Sequence, residues 1–234
     1  MCPYCPQDKL VGAYKGERVM SLNTFKKCID KVENEVKIGF TGMCEPFLNP
    51  NCMRMVKYAA GEHPVYIGTT LVGFKERYIK KLEKIELTEF AVHLPGDNDI
   101  FKVDIDILKK VAESKITNKS FHYHGEPRDE FKFLDTWSAG IHSRAGNIDN
   151  LKTDKIEGAV YCERNMAHPV LLPNGNLVLC CMDFGLEHII GNLITQSIDE
   201  IYDGREFCKV VKANQQESNS ICHGCVFARK IEEK

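Results

Sequence analysis

The sequence predicts an α/β fold of parallel strands and crossover helices, followed by a small C-terminal region built from a β-hairpin and a helix. Three observations predict it. Short apolar strands alternate with helical periodicities over residues 21–143, the order that gives parallel pairing with right-handed crossovers. Polar residues and glycines gather where those strands end. The cysteines fall into an early and a late group, and the stretch from Met53 to Tyr161 contains none.

The elements follow in order. Phe25, Cys28, Ile29 and Val32 share one helical face, with Ser21 or Asn23 as N-cap. Val36 to Phe40 reads as a buried strand ended by Thr41-Gly42. Met53, Val56 and Ala60 mark the next helix, and Val65 to Thr70 the next strand. Phe74 to Ile85 reads as one charged amphipathic helix, Phe90 to Leu94 as a strand, and Ile105, Leu108 and Val111 as a helix. A strand over Phe121 to His124, a short helix over Phe131 to Trp137 and a strand over Gly140 to Ser143 complete this part. Beyond residue 150 the pattern changes. Val170 to Leu179 is a hairpin around Pro173-Asn174-Gly175-Asn176, and Ser197-Ile198-Asp199-Glu200 is a capping box opening a helix toward Val211. The domain division read from this change is 1–150 and 151–234.

Composition bounds the partners. A net charge of −2 and a pI near 6.5 give no electrostatic pull toward nucleic acid or an anionic membrane. No apolar run approaches the roughly 20 residues that span a bilayer, and no signal peptide opens the chain. The expected compartment is the cytoplasm. Eleven cysteines there point to metal or cluster binding rather than to disulfides.

The late cysteines have the spacing Cys162-x12-Gly175-x4-Cys180, then Cys222-His223-Gly224-Cys225. Four thiolates suit zinc or an iron–sulfur cluster equally on chemistry alone. Cys28 and Cys208, on helical faces, read as buried thiols. The early pair is Cys2-Pro3-Tyr4-Cys5, and Thr41-Gly42-Met43-Cys44-Glu45-Pro46 follows the first strand. His93, His122 and His124 lie at strand ends, placed either to bind substrate and pass protons or to pack in the core. Asp183 follows Cys180-Cys181, to line a site or cap a turn.

This ordered set resembles the radical S-adenosylmethionine enzymes with a shortened SPASM ("twitch") domain, over nearly the whole chain. Their motif is Cys-x3-Cys-x-aromatic-Cys, then a Gly-Gly-Glu-Pro-like stretch. The resemblance implies a partial (βα)6 TIM-like barrel lacking its first strand, plus the small cluster-binding domain. It implies a radical-site [4Fe–4S] cluster on Cys2 and Cys5, S-adenosylmethionine on its open iron, and an auxiliary [4Fe–4S] cluster on Cys162, Cys180, Cys222 and Cys225. A 5′-deoxyadenosyl radical would then abstract hydrogen from substrate. By the same resemblance Tyr4 packs near the adenine, Met43, Cys44 and Glu45 meet the methionine amine, and Thr69, Thr70 and Arg144 contact cofactor or substrate, with Arg144 as the catalytic candidate. The substrate is a small molecule, such as a sugar-like alcohol to be oxidised, or a peptide to be matured, and the electron donor is a flavodoxin or ferredoxin. Two departures stand out. The family's first cysteine belongs four positions before Cys2, which suggests a misassigned start or a fragment, or else a non-catalytic iron–sulfur or zinc module. Met43-Cys44 also replaces the usual glycines.

Overall fold

The structure is a computed structural model. It describes residues 5–96, 101–126, 128–149, 151, 153–216 and 220–232, with backbone alone at 165 and 166. Cys2 and Tyr4, singled out above, lie outside the described residues. Two compact units are present. Among the described residues, one is Ser21–Ile141, and the other joins residues 5–20 with residues 142–232.

The chain enters through helix α1 (Gln7–Ala13), which belongs to the second unit. In the first unit, α2 (Leu22–Ile29) starts where the Ser21 hydroxyl accepts a hydrogen bond from the Thr24 amide at 3.0 Å, and it buries Phe25, Cys28 and Ile29. Strands β1 (Ile38–Phe40), β2 (Val65–Thr69), β3 (Glu89–Leu94), β4 (Lys119–Tyr123) and β5 (Trp137–Ser138) form one sheet in that order, every pair parallel. Helices α3 (Cys52–Ala59), α4 (Ile79–Leu82) and α5 (Ile105–Glu113) connect successive strands. The fold is therefore the expected α/β partial barrel, and the sheet is not closed.

Register divides the sheet into two faces. Phe40, Ile67, Phe90, Val92 and Phe121 share one face, because parallel partners point the same way. This face packs under the helices: Phe25 of α2 meets Phe40 at 5.6 Å between ring centroids, and Phe74 meets Phe90 at 6.3 Å. Lys119 also points this way, and its Nζ donates to the carbonyls of Val111, Ala112 and Ser114, capping the C-terminal end of α5. The opposite face carries Gly39, Tyr66, Gly68, Glu89, Ala91, His93, Ser120, His122 and Trp137. It carries polar groups at Glu89, His93, Ser120 and His122.

In this unit three predicted elements differ. The short helix expected over Phe131 to Trp137 is only a 3-10 turn at Asp129–Phe131, and Trp137 belongs to β5, where it pairs with His122. The helix expected over Phe74 to Ile85 is a 3-10 turn (Glu76–Tyr78) running into the short α4. Phe74 instead packs edge-on against Phe47 and Tyr78, which holds it outside the helix. The last strand lies at 137–138 rather than 140–143, fixed by the Ala139 amide donating to the Tyr123 carbonyl at 2.8 Å.

In the second unit, β6 (Val160–Tyr161), α6 (Arg164–Ala167), β7 (Val170–Leu171), β8 (Asn176–Val178), β9 (Ile189–Asn192), α7 (Ile198–Tyr202), α8 (Arg205–Gln215) and β10 (Arg229–Lys230) follow. The β7–β8 hairpin turns at Gly175, whose φ of +85° only glycine adopts freely. Ser197 and Glu200 form the expected capping box. Gly204 then divides the predicted helix into α7 and α8. On α8 Cys208 is exposed, so its expected burial is corrected: the apolar stripe of that helix runs through Phe207 and Val210 instead.

Candidate functional site

In the first unit, Glu45 organises the C-terminal edge of the sheet. Its Oε1 accepts from the Thr69 hydroxyl at 2.8 Å and the Phe47 amide at 3.1 Å. Its Oε2 accepts from both the amide and the hydroxyl of Thr70, each at 2.7 Å. Four donors on one carboxylate tie the loop after β1 to the end of β2. Glu45, Thr69 and Thr70 are thus brought together as one constellation. Thr69 is 1 % exposed, so its hydroxyl serves Glu45 and the Leu71 amide rather than a ligand. Met43 is buried and Cys44 exposed. Neither takes a positive φ, whereas Gly42 does at +106°, so side chains replace glycines here without backbone strain.

In the second unit, Cys5 is half-buried and its thiol donates to Gln7 Oε1 at 3.6 Å. The late cysteines converge. Cys162, Cys180, Cys222 and Cys225 all line one cavity, together with Ala145 and Arg164. Strand pairing explains it. β10 runs antiparallel to β6, so the chain just after Cys225 is zipped to the chain just before Cys162. The Ile156 amide donates to the His223 carbonyl at 2.8 Å, holding the Cys222–Cys225 turn from the other side. His223 is buried, bonded to Ser220 through Nδ1 and to the Gly158 carbonyl through Nε2. Asp183 caps a turn: its carboxylate accepts from the amides of Glu187 and His188 at 2.9 and 2.7 Å. Cys181 stays outside the set and accepts from Arg164.

Burial pushes the Cys180 thiol up to about 12 and the Cys222 thiol up to about 11, and the neighbouring cysteines add to both shifts. Burial also raises Cys225. A cage of four bare thiolates is therefore disfavoured, and cations must neutralise it. Among the described residues, no three His, Cys, Asp or Glu side chains are arranged to hold a single metal ion. Four thiols around one cavity suit a cuboidal [4Fe–4S] cluster, in which each iron takes its own thiolate.

Arg144 lies in this unit, in a turn where Arg144, Ala145 and Gly146 all take positive φ, at 52°, 55° and 77°. It is not at a sheet strand end, as expected from sequence, because that strand stops at Ser138. Asn147 holds the turn, donating from Nδ2 to the carbonyls of Arg144 and Met182 at 2.7 and 2.9 Å. Since Ala145 lines the four-thiol cavity, the turn places Arg144 one residue from the cavity wall.

Residues 162–226 match the family model of the SPASM iron–sulfur cluster-binding domain. The C-terminal region is a SPASM domain. The four cavity cysteines all fall within the match. Over its length the chain is similar to the S-adenosyl-L-methionine-dependent 2-deoxy-scyllo-inosamine dehydrogenase of Niallia circulans, 22% identical over 96% of this chain and 86% of the relative. Its fold is similar to that of BtrN in complex with AdoMet and 2-DOIA, with a TM-score of 0.65, 19% identity, and 92% and 82% of the two chains covered. It is also similar to anSMEcpe with bound AdoMet and Cp18Cys peptide, with a TM-score of 0.58, 13% identity, and 96% and 82% covered. The chain shares the fold of these two structures.

Sequence reading missed two features. Arg164 lines the SPASM cavity and stacks over Phe227 with its guanidinium carbon 3.8 Å from the ring centroid. Trp137 stacks on His122 at 4.8 Å. Neither belongs to a spacing motif, so only the folded arrangement brings them to notice. Among the described residues no helix is long and apolar enough to cross a membrane.

Proposed function

We propose that this chain is a radical S-adenosylmethionine enzyme that oxidises a sugar-like alcohol, with its SPASM cluster taking up the second electron. The observation that carries the reading is the single four-thiol cavity with the Arg144 turn in its wall. One auxiliary cluster close to a substrate-facing cation suits a substrate radical that must lose one electron. The full-length likeness to a dehydrogenase supports the same reaction class. The functional division follows the cysteines: residues 1–150 for the radical site and 151–234 for the auxiliary cluster.

The radical-site [4Fe–4S] cluster and S-adenosylmethionine, when bound, supply a hydrogen-abstracting radical. The chain's own residues hold and orient. Cys2 and Cys5 would hold that cluster, and Tyr4 would meet the adenine. Met43, Cys44 and Glu45 receive the methionine amine, with Glu45 keeping the loop in place through Thr69 and Thr70. Arg144 hydrogen-bonds the substrate hydroxyls. A flavodoxin or ferredoxin in a reducing cytoplasm supplies the first electron.

The test is an anaerobic turnover of the reconstituted protein with 2-deoxy-scyllo-inosamine, scoring 5′-deoxyadenosine and ketone. Equal amounts of both are expected. Substrate-dependent 5′-deoxyadenosine only with a cysteine-containing peptide would replace this reading by the peptide-maturase one, which the likeness to the peptide-bound anSMEcpe supports. Neither product with either probe would leave a non-catalytic cluster module.

A further inference from the structure

His93 and His122 are register partners on β3 and β4, on the sheet face opposite the helices. His122 Nε2 lies 2.6 Å from His93 Nδ1 and 3.2 Å from its Nε2, so the two imidazoles are hydrogen-bonded. His122 is 5 % exposed, and its Nδ1 has no hydrogen-bond partner among the described residues. Leaving a buried ring nitrogen unpartnered is destabilising, and an apolar residue would fill a core position without that cost. His93 is only half-buried, so it forms the outer member of the pair. Trp137 stacks on His122 at an interplanar angle of 28° and fixes its ring plane.

The position in the sheet is specific. Thr69, the last residue of β2, pairs with Val92 of β3, one residue before His93, and His122 is the partner of His93 on β4. Adjacent strands lie about 4.8 Å apart. The histidine pair and the Glu45-bound end of β2 thus both lie toward the C-terminal ends of neighbouring parallel strands, the edge where this fold class builds its sites.

We propose that His93, hydrogen-bonded to His122, accepts the hydroxyl proton of the alcohol being oxidised; this rests on the alcohol-oxidation reading above. The balance is complete. The carbinol carbon gives its hydrogen atom to the S-adenosylmethionine-derived radical, the hydroxyl proton goes to His93, one electron goes to the SPASM cluster, and a C=O bond remains. His122 is the positioning residue. With its proton on Nδ1, its Nε2 accepts a hydrogen bond from protonated His93. Burial first, and then the nearby His124, lower His122 to about 4, while Glu89 on the same face of β3 opposes the shift. His122 thus stays neutral at working pH, and the arriving proton resides on His93.

The experiment compares the unmodified enzyme with His93→Gln and His122→Phe, using 2-deoxy-scyllo-inosamine deuterated at the reacting carbon. His93→Gln is expected to keep deuterium transfer into 5′-deoxyadenosine while ketone per 5′-deoxyadenosine falls about tenfold or more. The rise of ketone formation with pH should vanish with it. His122→Phe, which keeps a ring under Trp137, should show a smaller loss and a shifted pH profile. Ketone at the unmodified ratio in His93→Gln would overturn the proposal. Absence of substrate-dependent 5′-deoxyadenosine in the unmodified enzyme would overturn the alcohol-oxidation reading itself. Ring-nitrogen NMR of the unmodified, metal-free protein gives an independent arm: His122 should stay neutral down to about pH 5, and a charged His122 at pH 6 would overturn the pair.

Discussion

Arg164 is the one charged side chain among the described residues lining the SPASM cavity, and it reaches Cys181 Sγ as well. A cluster with four thiolates becomes more negative on reduction, so a neighbouring cation favours the reduced form. Arg164→Gln should lower the cluster potential by on the order of tens of millivolts, read in an EPR-monitored titration. An unchanged potential would mean that the guanidinium is held away by Phe227. Glu45 makes a second case at this scale. Glu45→Gln keeps the shape but converts one acceptor oxygen into a donor facing the Thr70 amide and hydroxyl. A loss of about 1–3 kcal/mol in denaturant unfolding is expected, together with weaker S-adenosylmethionine binding. The cysteines and Glu45 were legible in the sequence because spacing and strand-end position mark them. Arg164 and Trp137 were not, because their roles depend on contacts between residues far apart in the chain.

At the scale of the element, the left-handed turn at Arg144–Gly146 is the clearest source of strain. Alanine at φ +55° costs roughly 1 kcal/mol relative to glycine. Ala145→Gly should therefore stabilise the second unit by up to about 1 kcal/mol in thermal unfolding, while loosening the hold on Arg144 and lowering turnover. A destabilised variant would show that the Ala145 methyl in the cavity wall matters more than the backbone. The central strands behave differently. Phe90 on β3 is fully buried against Phe74, and Phe90→Ala should cost about 3–5 kcal/mol, measured by urea titration. These strands were readable from continuous apolar runs. The broken helix before β3 was not, since its periodicity is helical and the aromatic cluster of Phe47, Phe74 and Tyr78 overrides it. The last strand escaped too, because two residues paired to β4 leave no periodic trace.

For the whole molecule, one buried histidine and several buried thiols, Cys52 among them, shape the pH response of the metal-free chain. His122 is lowered to about 4, so its contribution is present above its unfolded value of 6.5 and lost as pH falls toward 4. The thiols of Cys180 and Cys222 are raised, so their contribution is present below 9 and lost as pH rises toward 11 to 12. Stability of the metal-free protein, followed by circular dichroism, should be greatest between about pH 7 and 9. Cluster assembly releases the thiol protons, so iron retention should weaken in acid. The α/β class and the cysteine-rich C-terminal region were legible at this scale because alternation and spacing are global patterns. The choice between zinc and a cluster was not, since four thiolates suit both on chemistry alone. That choice is the central claim, and Mössbauer spectroscopy of the Cys2→Ala/Cys5→Ala variant reconstituted with iron-57 tests it most directly. About four irons per chain in one [4Fe–4S] spectrum, lost on further Cys180→Ala substitution, is the predicted result. One zinc per chain with no cluster signal would contradict it.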